Sequence, residues 1–230
     1  MSLGDDLKAQ VIKIFKERWT ERDGTVVPTS DDVQLGNDAV KLQATVLYAD
    51  LDASTDLVDN HEAYFAAEVY KTFLYCAAKI IRSEGGEITA YDGDRVMAVF
   101  LGGSKNTSAA RAALKLNYAR LEIIQPALDA QYPNAKYTLR SVVGIDTSSL
   151  YVARTGIRGA NDLVWVGRAA NYAAKLSSLS SDYPTRITKD VYDALHASAK
   201  ESNGENMWTR TTWTDKGGMD IYRSTWHWSV

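Results

Sequence analysis

Two aspartates that each end an apolar strand, Asp50 and Asp94, are the residues of this chain best suited to chemistry. Asp50 closes an apolar run and opens a turn of small polar residues, and Asp94 follows the tight turn at Asp92 and Gly93. Both carboxylates can therefore stand at one edge of a sheet. Magnesium-type cations take one or two carboxylates from a protein and leave their other positions to substrate phosphates and water. The pair predicts a two-metal phosphoryl-transfer site; the alternative is that each aspartate only caps or turns the chain.

The elements that would position these aspartates alternate between strands and helices. An amphipathic leader helix over residues 5–19 and a polar linker to about residue 39 precede them. A strand over 45–50, a long helix ended by Gly85 and Gly86, a hairpin of 88–91 and 96–101, and a helix over 108–125 follow. The later elements are strands over 137–145, 150–154 and 163–166, a helix over 167–179, a short helix over 191–197, and strands over 207–213 and 219–228. This order predicts an α+β fold with a mainly antiparallel sheet flanked by helices.

The composition of the 230 residues fits one ordinary globular domain with an extension, and we divide it at residues 1–40 and 41–230. The net charge of -3 gives no basic surplus for nucleic acid. One cysteine excludes an internal disulfide framework, and three scattered histidines do not suggest a zinc site. No secretory signal pattern and no membrane-spanning apolar run are present, so we expect a cytoplasmic protein without direct membrane insertion.

Several ordered motifs resemble those of the class III nucleotidyl cyclase catalytic domain. The segments VLYADLDAST and AYDGDRVMAVF look like the strand end and hairpin that carry the two metal aspartates of that family. VGIDTSSLYVARTG resembles its strand-turn-strand, and VGRAANYAAKL resembles its helix with the ribose-orienting Asn, here Asn171. In TDKGGMDIY, Lys216 matches the phosphate-binding Lys before a Gly. The resemblance covers about three quarters of the chain and implies a ferredoxin-like cyclase domain.

This resemblance implies which residues hold the metals and the phosphates. Asp50, Asp94 and the backbone carbonyl of Leu51 would hold two divalent cations, Mg²⁺ or Mn²⁺, and one of these would activate the ribose 3′-hydroxyl. The turn that contains Ser54 and Thr55 would present backbone N–H groups to the β- and γ-phosphates.

Three positions depart from the family pattern. Lys175 stands where the family has its transition-state Arg; it keeps the charge but loses the planar fork that grips phosphate. The purine-reading positions fall on Ala90 and Val164, whose side chains cannot hydrogen-bond a purine edge. Deleting both readers should remove the preference for purines.

A smaller base is the alternative that these departures favour. Tyr48 lies two residues before Asp50 and faces the same side of its strand, where it can contact a base or simply be buried. Arg95 offers donors that suit the carbonyls of uracil, although strict alternation turns it away from the metals unless the hairpin twists. The combination resembles the bacterial pyrimidylate cyclases of the Pycsar antiphage system, which make cyclic UMP or cyclic CMP.

In the family, the metal residues and the Asn with its charged partner come from different subunits. A chain that carries all of them implies a homodimer with two composite sites. The expected reaction converts UTP to 3′,5′-cyclic UMP and pyrophosphate, and a separate effector reads the product. The alternatives are an adenylate or guanylate cyclase and a non-catalytic cyclase-like dimer that binds nucleotide.

Overall fold

A computed structural model describes residues 2–230, which form an α+β fold as the sequence predicts. In chain order the helices are α1 (Leu3–Lys16), α2 (Ser54–Asn60), α3 (Ala63–Ser83), α4 (Lys105–Tyr118), α5 (Gln125–Gln131), α6 (Arg168–Ser177), α7 (Lys189–Asp193) and α8 (Ala197–Lys200). The strands are β1 (Thr20–Asp23), β2 (Asp38–Leu51), β3 (Glu87–Asp92), β4 (Arg95–Phe100), β5 (Ser141–Ile157), β6 (Ala160–Val166), β7 (Thr185–Thr188), β8 (Glu201–Ser202), β9 (Glu205–Asn206), β10 (Thr209–Trp213) and β11 (Met219–Ser224). The six-residue segment Ala119–Ile124, which joins α4 to α5, is a π-helix.

The described residues divide into two compact units. Unit 1 comprises the chain up to Gln43 together with Ser149–Gly167, and unit 2 comprises Ala44–Ser148 together with Arg168–Val230. The chain of β2 and that of β5 each run through both units. The division into a leader (1–40) and a catalytic domain (41–230) stays a prediction.

Unit 2 contains the sheet and the main core. Its strands follow the order β10-β11-β7-β5-β2-β4-β3. Strands β5 and β7 pair in parallel, and the pairs β10–β11, β11–β7, β2–β4 and β3–β4 are antiparallel. Helix α3 buries an apolar stripe at near-helical spacing, as the sequence predicts, and the stripe includes Phe65, Val69, Phe73, Ala77 and Ile80. Burying one such side chain contributes about 1.5–3 kcal/mol, so this stripe is a major source of stability.

The alternation along β2 decides which side chains reach the site. Leu47, Ala49 and Leu51 belong to the core cluster that also contains the α3 stripe. Successive side chains of a strand point to opposite faces, so Tyr48 and Asp50 lie on the other face of the sheet. The core therefore fixes the register in which Asp50 is presented.

Unit 1 contains α1, β1 and the hairpin of β5 and β6. Strand β1 pairs in parallel with the start of β2, from Thr20 opposite Asp38 to Asp23 opposite Lys41. The side-chain amide of Asn37 donates to the carbonyls of Ile14 and Glu17, at 2.8 and 2.7 Å, and holds the end of α1.

Several sequence predictions differ from the structure. Helix α2 and strand β7 were not predicted, the helix predicted over 191–197 is split into α7 and α8, and the last strand ends at Ser224. The leader helix is present, but it has no buried residue, and its apolar face is open, with Phe15 85% exposed. The linker contains β1, which the sequence reading missed because TERD carries no apolar alternation and all four residues are exposed. The two strands predicted over 137–145 and 150–154 correspond to one strand, β5, which starts at Ser141 and continues through the polar residues between them.

The helical side of unit 2 also has an apolar cavity of about 480 Å³. Its walls come from α3, the π-helix and α5, and include Val69, Cys76, Ile124 and Leu128. None of the predicted site residues lines it.

Within residues 2–230, no helix combines the length and the apolar character that crossing a bilayer requires.

Candidate active site

The two predicted metal ligands lie at neighbouring chain turns. Asp50 is the penultimate residue of β2, and Asp94 lies in the turn between β3 and β4, where Asp92 pairs with Arg95. Gly93 makes this turn possible because its φ of 61° is in the left-handed region. Asp50 is only 8% exposed, so its carboxylate is largely removed from water.

The electrostatics of the pair favour a bound cation. Burial raises the pKa of Asp50 to about 6; the positive charge of Arg95 opposes this rise, and the negative charge of Asp94 adds to it. Oδ2 of Asp94 is buried and makes no hydrogen bond within the described chain. Buried carboxylates without partners are costly, and divalent cations of the magnesium type take oxygen ligands. The donor set therefore fits a divalent cation.

Arg95 lies beside Asp50 and not away from it. Its Nε is 3.3 Å from Oδ2 of Asp50, but the geometry gives no aligned hydrogen bond. Strict alternation from Asp94 would turn Arg95 away from the metal ligands, but Asp94 lies in the turn before β4, so alternation does not apply between these two residues. Ala49 pairs with Val96, so Arg95 falls opposite Asp50 in the next step of the same register.

Tyr48 occupies the next position on the same face of β2. It pairs with Met97 across the sheet and is partly buried. Burial raises the pKa of its hydroxyl, and the nearby charge of Arg95 lowers it. Its contact with a base stays a prediction.

The turn after β2 is fixed by unit 2 itself. The N–H of Asp52 donates to the carbonyl of Arg140 at 2.9 Å, and its carboxylate accepts from Ser181 at 2.5 Å and lies 3.3 Å from Nε of Arg140. Ala53 adopts a left-handed conformation before α2 starts at Ser54. The carboxylate of Asp52 is thus bound by other residues of the chain. The phosphate contacts of Ser54 and Thr55 stay predictions.

The second predicted group lies on α6. Asn171 and Lys175 are exposed and four residues apart, so they share one face of this helix. Lys175 is within hydrogen-bonding reach of Lys216, and this contact, together with the repulsion of the two charges, lowers the pKa of Lys175. Nζ of Lys216 also lies 5.4 Å from the ring centre of Tyr172. The structure therefore brings two cations together, and in the described part of the chain neither of them forms an ion pair.

Helix α6 is held against the sheet by a glycine. A Cβ at Gly144 of β5 would lie 2.2 Å from the carbonyl oxygen of Ala173 and 2.6 Å from the backbone nitrogen of Ser177. Only glycine allows this approach of helix and strand.

A buried ion pair fixes the start of the same helix. The guanidinium of Arg168 donates to both carboxylate oxygens of Asp146, at 3.0 and 3.2 Å, and to Asp190 at 2.5 Å. Thr188 donates to Asp146 at 2.6 Å. Burial opposes the charge of Arg168, but these acidic partners raise its pKa overall. The network orients the helix that carries Asn171.

Asp146 and Arg168 were not predicted from the sequence, although both carry a signal. Asp146 is a charged residue in the apolar strand VVGID, where it needs a partner. Arg168 is a cation at a helix start, where the helix dipole disfavours it.

In the part of the chain that the structure describes, the carboxylates and the group on α6 do not bond to each other directly. Within residues 2–230, no hydrogen bond or ion pair joins Asp50 or Asp94 to Asn171, Lys175 or Lys216. The same described range holds no cluster of three or more His, Cys, Asp or Glu side chains that could bind a metal.

Comparison with known proteins gives a consistent result. The family model for the adenylate and guanylate cyclase catalytic domain matches residues 39–222. A uridylate cyclase of Xanthomonas perforans is 55% identical over the full length of both chains, and one of Rhodovulum sp. is 37% identical over 98% of this chain and 97% of its own.

Solved structures share the fold. A bacterial light-regulated adenylyl cyclase superposes with a TM-score of 0.69 at 20% identity, over 81% of this chain and 51% of its own. A guanylyl cyclase superposes with a TM-score of 0.68 at 18% identity, over 82% of this chain and 94% of its own. The predicted ferredoxin-like cyclase fold is confirmed.

Proposed function

This chain belongs to the class III nucleotidyl cyclases, and from that premise we propose that it converts UTP to 3′,5′-cyclic UMP and pyrophosphate. The observation that carries the choice of base is its full-length similarity to proteins named uridylate cyclase, at 55% identity in Xanthomonas perforans and 56% in Burkholderia cepacia. The general activity, nucleotidyl cyclisation, follows from membership of the family.

The side chains near Asp50 support a pyrimidine. Ala90 stands at a purine-reading position of the family and offers no side-chain hydrogen bond. Tyr48 supplies a partly buried ring on the face of β2 that presents Asp50, and Arg95 supplies donors next to it. A ring and a donor group suit a small base with carbonyl acceptors.

We propose that Asp50, Asp94 and the carbonyl of Leu51 hold two divalent cations, Mg²⁺ or Mn²⁺. When bound, such cations would lower the pKa of the ribose 3′-hydroxyl and neutralise charge on the phosphates. The burial of Asp50, which raises its pKa, and the unpaired oxygen of Asp94 support this assignment, because a bound cation would stabilise both carboxylates.

The remaining residues position the nucleotide and balance charge in this scheme. Asn171 orients the ribose, while Lys175 and Lys216 neutralise the charge that spreads over the phosphates. Backbone N–H groups at Ser54 and Thr55 contact the β- and γ-phosphates. The 3′-oxygen bonds to the α-phosphorus, the bond from that phosphorus to the bridging oxygen breaks, pyrophosphate leaves, and the hydroxyl proton passes to solvent.

We propose further that the active form is a homodimer with two composite sites. The support is the family resemblance, together with the absence, within residues 2–230, of a hydrogen bond or ion pair between the two aspartates and the group on α6. Asp50→Ala and Asn171→Ala should each be inactive. Mixed after co-refolding, they should recover about a quarter of wild-type activity, because half of the dimers are mixed and each has one intact site. An inactive mixture that forms mixed dimers would contradict shared sites.

In the cell, we propose that cyclic UMP acts as a second messenger in antiphage defence and is read by a separate effector. The support is the resemblance to the Pycsar cyclases. In bacteria that carry the genes for this protein and for its effector, Asp50→Ala should abolish protection from phage. Protection by the inactive variant would overturn this role.

The decisive experiment compares four nucleotides. Purified protein is incubated with ATP, GTP, CTP or UTP and Mn²⁺, and the products are identified by mass spectrometry. We expect cyclic UMP from the wild type and from Asp59→Ala, a matched change at an exposed Asp on α2, but not from Asp50→Ala. A purine product would indicate an adenylate or guanylate cyclase, and no product would indicate a nucleotide-binding module.

A further inference from the structure

Two arginines lie side by side on adjacent strands of unit 2. Arg186 of β7 and Arg223 of β11 are register partners, so their side chains emerge on the same face of the sheet. Arg186 is only 6% exposed, and Arg223 is partly buried. Like charges directly opposite each other are unfavourable, and burial increases the cost.

The arginine pair makes few hydrogen bonds within residues 2–230. Nη1 of Arg186 donates to the carbonyl of Tyr183 at 2.7 Å. The guanidinium of Arg223 lies 3.8 Å from the centre of the Tyr183 ring, and its Nε is buried without a hydrogen bond. In the part of the chain that the structure describes, neither arginine forms an ion pair. Buried charges in folded proteins are normally paired, so the pair lacks an anion.

The charges around the arginine pair agree with this interpretation. Burial lowers the pKa of Arg186 to about 10, Arg223 lowers it further, and the more distant carboxylates of Asp182 and Asp52 oppose the change. Arginine nevertheless stays protonated at neutral pH. Asp52 is one possible counterion of Arg186, but its carboxylate already accepts from Ser181 and lies beside Arg140.

The position of the arginine pair indicates what the anion is. Asp52 comes two residues after Asp50, and its carboxylate accepts from Ser181, five residues before Arg186. Its N–H donates to the carbonyl of Arg140, directly before β5, and β5 pairs with β7 at Gly144 and Arg186. The pair therefore lies near the end of β2, where the phosphates are expected under the proposed function. A guanidinium fork binds two oxygens of a phosphate, and two forks suit an anion with oxygens on two phosphorus atoms. A single carboxylate would leave most of these donors unpaired.

We propose that Arg186 and Arg223 form a binding site for the pyrophosphate moiety, as the β- and γ-phosphates of the substrate and as the pyrophosphate product. The site rests on the proposed cyclase function but not on the choice of base. Tyr183 holds the site in shape, since it contacts both side chains.

The test measures binding of inorganic pyrophosphate by calorimetry in EDTA, which removes any contribution from a metal site. Arg186→Met and Arg223→Met should each weaken binding at least about tenfold, since a charge-assisted hydrogen bond is worth roughly that much. Arg210→Met is the matched control, because Arg210 is an exposed arginine paired with Asp220 on the neighbouring strand. It should bind pyrophosphate like the wild type.

Thermal unfolding separates a binding site from a structural contact. Without ligand, Arg186→Met should unfold at the same temperature as the wild type or higher, because it removes an unpaired buried charge. Pyrophosphate should raise the unfolding temperature of the wild type and not that of the variant. A purely structural pair predicts the reverse: lower stability and unchanged binding.

Two results would overturn the inference, and neither requires that the protein catalyse a reaction. One is a wild-type protein that neither binds pyrophosphate nor gains thermal stability from it. The other is wild-type affinity in both methionine variants. If Arg186→Met does not fold, Arg223→Lys decides, since it keeps the charge, loses the fork and should bind with intermediate affinity. A protein that binds pyrophosphate through these arginines but cyclises no nucleotide would refute the proposed function alone.

Discussion

Replacing Gly144 by alanine tests whether the contact between β5 and α6 sets the geometry of the site. The added Cβ would lie 2.2 Å from the carbonyl oxygen of Ala173, whereas ordinary contact begins at 3.4 Å. The obstacles are helix backbone, which cannot rotate aside, so α6 must move by about 1.2 Å. This helix carries the predicted Asn171 and Lys175. A misplacement of about 1 Å can lower the rate roughly 100-fold, and overpacking costs about 1–3 kcal/mol of stability.

The assay for Gly144→Ala measures kcat for nucleotide cyclisation and the free energy of unfolding in urea. Gly103→Ala is the matched control, because a Cβ there meets nothing within 4 Å. It should change stability by less than about 0.5 kcal/mol and leave kcat unchanged. If Gly144→Ala keeps kcat within about twofold of the wild type while folding normally, the reasoning about α6 is refuted.

Three further outcomes follow from named contacts. Asp94→Asn should abolish cyclisation without lowering the unfolding temperature, because it removes a negative charge that faces Asp50; a parallel loss of stability would argue for a structural Asp94. Arg168→Met should destabilise the protein by up to about 3 kcal/mol in urea unfolding, since it leaves Asp146 buried with fewer donors; the cost is at the low end for a buried pair because Arg168 is 39% exposed. Phe15→Ser should change the unfolding free energy of the dilute protein by less than about 0.5 kcal/mol, and a larger loss would mean that α1 is covered.

The sequence predicted the elements in which apolar residues recur at helical or strand spacing or in which a turn has characteristic residues. The apolar stripe of α3 and the hairpin around Gly93 are both present, because burial and turn chemistry act locally there. The α6 helix is also present, and its predicted bounds are within two residues at each end.

The sequence was a poor guide where long-range pairing decides. Strand β1 is held by backbone pairing to β2 and carries no apolar signal. Asp146 and its polar neighbours suggested a break in β5, but a buried carboxylate is tolerated there because Arg168 and Thr188 reach it from other elements. The arginine pair was invisible for the same reason, since Arg186 and Arg223 meet only after β7 and β11 align.

The π-helix Ala119–Ile124 makes this part of the chain sensitive to insertions and deletions. A π turn uses more residues than an α turn, so it changes the rotational phase of everything that follows it. Removing one residue from this segment would let a regular α-helix continue into α5, with each later side chain rotated by about 100°. Leu128 would then leave the core and the wall of the apolar cavity. The length of this segment, more than the identity of any residue in it, keeps α5 in register with the core.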